Sequence, residues 1–159
     1  LLGTGGGVAN ALPDLAPDPD APPFFVANAD ALWRDGPLPM LSRLAGAWQD
    51  DAMDALLLLV PKAAAVGMQG AGDFHRDSDG RLRRRRDDNP APYFYGGVQL
   101  VHRRLFDGAV EGAFSVVPLW DRAAETGRLF GLVHDGAWFH VGTPAAVVEA
   151  EAALTGSAP

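Results

Sequence analysis

The stretch Phe24-Phe25-Val26-Ala27-Asn28-Ala29-Asp30 does most to limit the folds open to this chain. Four apolar residues run directly into Asn and Asp. A continuous apolar run of that length predicts a strand buried on both faces, as in a parallel sheet covered by helices. In open α/β sheets, ligands bind just beyond the carboxyl ends of such strands. Asp30 falls at such an end, where a carboxylate can hold a hard cation such as Mg²⁺ beside phosphates. Aspartate also caps helices and makes turns, so the stretch alone leaves both roles open.

The rest of the chain alternates strand and helix patterns. A short helix is expected over 8–12, after the glycine run and stopped by Pro13, then a Pro- and Asp-rich surface loop over 14–23. Leu41, Leu44, Ala45 and Trp48 recur at helical spacing within 39–49, with Pro39 in the first turn. Residues 54–60 predict a second buried strand, ended by Pro61. Residues 72–85 predict a β-hairpin turning on Ser78-Asp79-Gly80, with Phe74 and Leu82 on its arms. Strands follow at 93–102, 129–133 and 138–141. Helices follow at 117–126, with Gly127 as its stop, and from Thr143-Pro144 to about Leu154. The expected fold is a Rossmann-like α/β/α sandwich with a mixed, mostly parallel sheet and an inserted β-hairpin. It reads as one domain over 1–154, with 155–159 a disordered tail.

Composition removes several alternatives. At 159 residues and 48% hydrophobic, the chain can bury a core of its own. No apolar run approaches the roughly 20 residues of a membrane helix. Thirteen basic residues against twenty acidic ones leave a net charge of −7, which disfavours nonspecific nucleic-acid or membrane binding. The absence of cysteine excludes disulfides and cysteine chemistry, and is compatible with a cytoplasmic location. The chain opens on Leu1-Leu2-Gly3 without Met or a signal-peptide pattern, so its natural beginning is expected to lie upstream.

Four places could carry chemistry. The glycines Gly5, Gly6 and Gly7 could bring backbone N–H groups against a base or phosphate, but their spacing fits neither the Walker nor the Rossmann fingerprint. Asp30 needs a partner from another strand end. His140, in Trp138-Phe139-His140-Val141-Gly142-Thr143-Pro144, lies at such an end and could ligate a metal or touch a phosphate; a lone His is also often a packed or solvated residue. Thr143 reads as a helix cap. Arg81 and Arg83 to Arg86 could bind phosphate or nucleic acid. With Asp77, Asp79, Asp87 and Asp88 flanking them, a solvated, aggregation-resistant edge strand carries more weight. His75 and His102 have no partner at ligand spacing, and His134 reads as a surface residue. There is no Gly-x-Ser-x-Gly elbow and no His-Glu-x-x-His, so a hydrolase triad and a zinc protease are unsupported.

Five elements in order resemble the sugar-phosphate nucleotidyltransferase family, especially bacterial mannose-1-phosphate guanylyltransferases and N-acetylmuramate-1-phosphate uridylyltransferases. They are Thr4-Gly5-Gly6-Gly7 with Ala11-Leu12; Phe25-Val26-Ala27-Asn28-Ala29-Asp30; and Tyr95-Gly96-Gly97-Val98 before Leu105-Phe106. Phe114-Ser115 before Leu119-Trp120-Asp121 and the Trp138 to Pro144 segment complete them. The resemblance runs from Leu1 to about Leu154.

The resemblance implies attack by a sugar 1-phosphate on the α-phosphorus of a nucleoside triphosphate, GTP or UTP, giving a nucleotide sugar and pyrophosphate. It implies Mg²⁺ as cofactor. It makes Asp30 the catalytic metal ligand. Thr4, Gly5 and Gly6 become the lining of the base pocket, and Asn28, Gly67 and Gly97 substrate contacts, with the Trp33 segment beside the sugar. His140 falls where many members carry a second metal-binding Asp; an imidazole is a less natural ligand for a hard cation. The family's glycine- and arginine-rich phosphate loop and its Pro-Lys-Pro segment precede the base-binding glycines and do not occur in this sequence. The chain therefore looks like the later part of such an enzyme, inactive alone, with the mannose-1-phosphate guanylyl group slightly favoured. A non-catalytic sugar-nucleotide-binding or regulatory module of the same fold is the alternative. A nucleic-acid binder working through the arginine hairpin is disfavoured by the overall acidity.

Overall fold

A computed structural model describes residues 2–86 and 89–156. Its elements in chain order are α1 (Gly3–Leu15), β1 (Phe24–Ala27), β2 (Ala31–Arg34), α2 (Met40–Ala47), β3 (Ala55–Pro61), β4 (Ala65–Val66), β5 (Phe74–Arg76), β6 (Leu82–Arg84), β7 (Tyr93–Val101), α3 (Val117–Glu125), β8 (Leu129–Val133), β9 (Ala137–His140) and α4 (Pro144–Thr155). Short 3-10 turns occupy Lys62–Ala64 and Arg103–Phe106.

β3 lies inside the main sheet, where the strand order is β6-β5-β7-β3-β8 and β1 pairs with the same β7. Successive strand side chains point to opposite faces, so the aliphatic run divides between two cores. Leu57 and Leu59 face one core, with Trp120 and Ala123 of α3 and Val8 and Leu12 of α1. Leu56, Leu58 and Val60 face the other, with Met40 and Leu44 of α2 and Trp138 of β9. Each fully buried leucine contributes roughly 1.5–3 kcal/mol, so this one strand anchors both layers. The result is the expected Rossmann-like α/β/α sandwich with an inserted hairpin. A second, three-stranded sheet, β2-β9-β4, covers part of the α2 face.

Within the mixed sheet the balance of directions departs from the mostly parallel expectation. β3 pairs parallel with β8, and β4 with β9. The pairs made by β7 with β1, β3 and β5 are antiparallel, because β7 runs against all three neighbours.

Three local expectations are corrected. β1 has the predicted bounds but is not buried on both faces. It pairs with β7 in the antiparallel sense, only alternate residues are half-buried, and Phe25 is 41% exposed. The helix expected over 8–12 instead takes in the glycines and Pro13. Of the four glycines in α1, the three at 5–7 cost about 1 kcal/mol each relative to alanine. Gly5 and Gly6 offset part of this by donating their N–H groups to the Phe114 carbonyl at 3.0 and 3.1 Å, satisfying donors that a helix start leaves free. Pro13 falls in the last turn, where its missing N–H costs one bond. His134, read as a surface residue, is 4% exposed; its Nε2 lies 3.1 Å from the Ala137 carbonyl within the β8–β9 turn.

The other expected elements match to within about two residues, while β2 and β4 were not expected. The hairpin turns through Asp77–Gly80, α3 ends before Gly127 at φ +69°, and Thr143 Oγ1 caps α4 by accepting from the Ala146 N–H at 3.2 Å. Asp87 and Asp88 lie outside the described residues, as do 157–159 of the expected tail, whereas Thr155 ends α4 and Gly156 is its left-handed C-cap.

Candidate active site

Asp30 follows β1 through a turn rather than capping a helix. The Ala31 N–H donates to the Asn28 carbonyl at 3.3 Å, and the chain turns directly into β2. β2 was not foreseen, because the four residues from Ala31 to Arg34 carry neither alternation nor a turn signal of their own. It pairs antiparallel with β9, opposing Ala31 to His140. The Val141 N–H then donates to the Asp30 carbonyl at 2.9 Å. These backbone bonds bring Asp30 Oδ2 to 3.8 Å from His140 Nδ1. Both side chains are open to a ligand, at 49% and 34% exposure.

Two glycines close in on this pair. Gly97, at φ +76°, interrupts β7 where the Asn28 N–H donates to its carbonyl at 2.7 Å. A Cβ there would stand 2.7 Å from the Ala31 Cβ and 3.4 Å from that of Asn28. Gly67, at φ +82°, follows β4; a Cβ there would stand 2.7 Å from the His140 carbonyl oxygen. Both positions therefore need glycine on two counts, backbone conformation and contact. Asn28, Asp30, Gly67, Gly97 and His140 thus come together from four stretches of sequence. Trp33 lies next door, opposite Trp138 in the β2–β9 pair, so it is a strand residue partly packed on the core.

Thr4, Gly5 and Gly6 form a second locus, the first turn of α1. Their contacts run to the 112–116 segment. Gly5 and Gly6 are buried with their N–H groups bonded to Phe114, and Thr4 Oγ1 accepts from the Val116 N–H at 3.2 Å. Gly7 is the member of the run whose Cα faces open space.

A two-donor set fits a divalent cation that completes its shell from phosphates and water. Among the described residues, no group of three or more His, Asp or Glu stands where it could hold a metal by itself. Asp30 and His140 would hold the ion, and bound ligand would have to supply the rest.

The arginine hairpin is largely committed to structure. Arg84 makes a bidentate pair with Asp121 of α3 at 2.8 and 2.6 Å, and that bond, with burial opposing it, holds the Asp121 carboxyl below its usual range. Arg86 reaches Asp121 and Glu125 at 3.6 and 3.3 Å. Arg85 Nε donates to the Gly72 carbonyl, and Arg81 lies over the Phe130 ring. The solvated-edge reading therefore needs amending, because these cations tie the hairpin to α3 and β8. His75 lies opposite Arg83 in the hairpin. His102 is buried, and its Nδ1 accepts from the Arg104 N–H at 3.1 Å.

No protein-family model matches the chain. An N-acetylmuramate alpha-1-phosphate uridylyltransferase of Caulobacter vibrioides is 36% identical over 153 residues, a match that covers 96% of this chain and 62% of that protein. The chain resembles the sugar-phosphate nucleotidyltransferases in sequence as well as in fold. A UDP-glucose pyrophosphorylase complexed with UDP-glucose superposes with a TM-score of 0.74 at 15% identity, covering 99% of this chain and 64% of that one. HddC from Yersinia pseudotuberculosis, complexed with GMP-PN, gives 0.66 at 18%, covering 94% and 61%. The inositol-1-phosphate CTP transferase from T. maritima gives 0.64 at 17%, covering 98% and 62%. The chain thus spans about three fifths of the length of these nucleotidyltransferases.

Proposed function

We propose that this chain carries the sugar-phosphate and cation side of a nucleotidyl-transfer site. In that reaction a phosphate oxygen of a sugar 1-phosphate bonds to the α-phosphorus of a nucleoside triphosphate. The bond from that phosphorus to the β-phosphate oxygen breaks, and pyrophosphate leaves. The observation that supports this reading is the convergence of Asn28, Asp30, Gly67, Gly97 and His140, in a chain 36% identical to a uridylyltransferase.

Phosphoryl-type transfer depends more on alignment and charge neutralisation than on acid–base work. A divalent cation, when bound, would supply positive charge to offset the charge that builds on the leaving group. Asp30 supplies the anionic anchor for it. His140 faces the same point and can ligate the ion or contact a phosphate. We assign the sugar to the surface beside Asn28, Gly67 and Gly97, with the Asn28 amide offered to its hydroxyls, and the base to the start of α1, where Thr4 is exposed beside Gly5 and Gly6, whose N–H groups are taken by Phe114. We favour a uridine nucleotide and N-acetylmuramate 1-phosphate over GTP and mannose 1-phosphate, because the relative at 36% identity acts on the former pair. We assign the activity to the cytoplasm. The described residues contain no helix long and apolar enough to cross a membrane.

The sequence lacks a glycine- and arginine-rich phosphate loop, so these 159 residues are expected to bind product without turnover. Calorimetry should show UDP-N-acetylmuramate binding to the chain more tightly than GDP-mannose. Under the same conditions UTP and the sugar 1-phosphate should release no pyrophosphate. Equal or absent binding of the two nucleotide sugars would overturn the uridine assignment, and pyrophosphate release would overturn the expected inactivity.

A further inference from the structure

The Asp30–His140 pair has the chemistry of a mixed oxygen–nitrogen chelate. Asp30 Oδ2 and His140 Nδ1 stand 3.8 Å apart, too far for a hydrogen bond. An ion bonded to both at about 2.1 Å spans donors about 3.0 Å apart at a right angle and about 4.2 Å apart in line. The observed separation lies inside that range. The two main chains that carry the donors are held side by side by the sheet rather than by a contact between the side chains. Ala31 opposes His140 in the β2–β9 pair, and the Val141 N–H donates to the Asp30 carbonyl.

A second observation fixes which imidazole nitrogen faces the carboxylate. A Cβ at Gly142 would stand 2.6 Å from His140 Nε2 and 3.1 Å from its Cε1. The ring therefore rests over Gly142 by its Nε2 edge, and Nδ1 is left to face Asp30. Any side chain at position 142 would displace the ring.

Mg²⁺ takes oxygen donors, whereas imidazole suits the later first-row divalent ions. We propose that Asp30 and His140 select a transition-metal dication of the cobalt, nickel and zinc class over Mg²⁺, with Gly142 as the positioning residue that aims Nδ1. This rests on the nucleotidyl-transfer reading only for the role of the ion. The choice of ion follows from the donors themselves.

The test is titration of the 159-residue protein with Co²⁺ alone, followed by proton NMR of the histidine rings and by calorimetry. Co²⁺ should shift or broaden the His140 resonances first, and a hundredfold excess of Mg²⁺ should not restore them. Asp30→Asn and His140→Ala should each weaken Co²⁺ binding at least tenfold. His140→Asp should bring the Co²⁺ and Mg²⁺ affinities within a few fold. Gly142→Ala should weaken Co²⁺ but leave Mg²⁺ binding unchanged, with the thermal transition of each variant confirming that it folds. Displacement of Co²⁺ by equimolar Mg²⁺, or Co²⁺ binding insensitive to His140→Ala, would overturn the proposal. Nucleotide-sugar binding is measured separately without metal, so its failure would count against the nucleotidyl-transfer reading and leave the metal result standing.

Discussion

At the scale of single residues, the site is shaped by what is missing from side chains. Gly97 sits at φ +76° in the middle of β7, and a Cβ there would press against the Ala31 Cβ at 2.7 Å. Gly97→Ala therefore combines left-handed strain with a contact between two backbone-anchored atoms, which cannot relieve each other by rotating. A loss of about 1–3 kcal/mol is expected in urea unfolding, together with weakened nucleotide-sugar binding. Gly7→Ala is the control, since its Cα faces open space and lies in a helix; it should be neutral or stabilising. If both variants behaved alike, close approach would not be why position 97 is glycine. Position 97 was legible in the sequence only as a substrate contact implied by the resemblance. The clash with Ala31 was not, because it depends on β2.

At the scale of elements, the hairpin β5–β6 shows how charges written as a run are distributed by folding. Arg84 pairs bidentately with Asp121, 37 residues away, which fastens the hairpin to α3. The pair is about two-thirds to four-fifths buried, so breaking it by Arg84→Ala should cost about 1–3 kcal/mol and leave Asp121 partly unpaired. Arg83, next along the strand but exposed, should cost little when changed to Ala. Denaturant midpoints of the two variants separate these cases, and equal shifts would count against the assignment of Arg84 as the fastening residue. The hairpin itself was legible from Ser78-Asp79-Gly80 between Phe74 and Leu82. Its function as a clasp was not, because nothing local to the arginine run points to Asp121.

At the scale of the whole molecule, one buried and one partly buried polar contact predict how stability varies with pH. Burial, and secondarily the Arg104 guanidinium, lower the His102 pKa from its ordinary value near 6.5. The folded state therefore binds fewer protons here than the unfolded chain. This contribution is complete above about pH 6.5 and is lost as pH falls through the lowered value. Protonating Nδ1 also removes the acceptor for the Arg104 N–H. Asp121, lowered by its bond to Arg84, adds a second loss at more acid pH, below about 4. The melting temperature should fall from pH 7 to 5 and again below pH 4, and His102→Gln should flatten the first step. A rise in stability from pH 7 to 5 would contradict this sign.

The sequence by itself determined most of the strands and helices and their order, though not β2, β4 or the true extent of α1. Those depend on local signals: the run Leu56–Leu57–Leu58–Leu59–Val60, the Thr143-Pro144 cap, and the turn residues at 78–80. It also singled out Asp30, His140, Gly67 and Gly97. Only the tertiary structure decided that β1 is a half-buried antiparallel strand, that the first glycines are packed under Phe114, and that Asp30 turns into β2 rather than a helix. Strand direction and edge position are settled by partners dozens of residues away, and a four-residue apolar run looks the same in either setting. The 3.8 Å approach of Asp30 to His140 is a product of the β2–β9 register, so it exists nowhere in the sequence until both strands have paired.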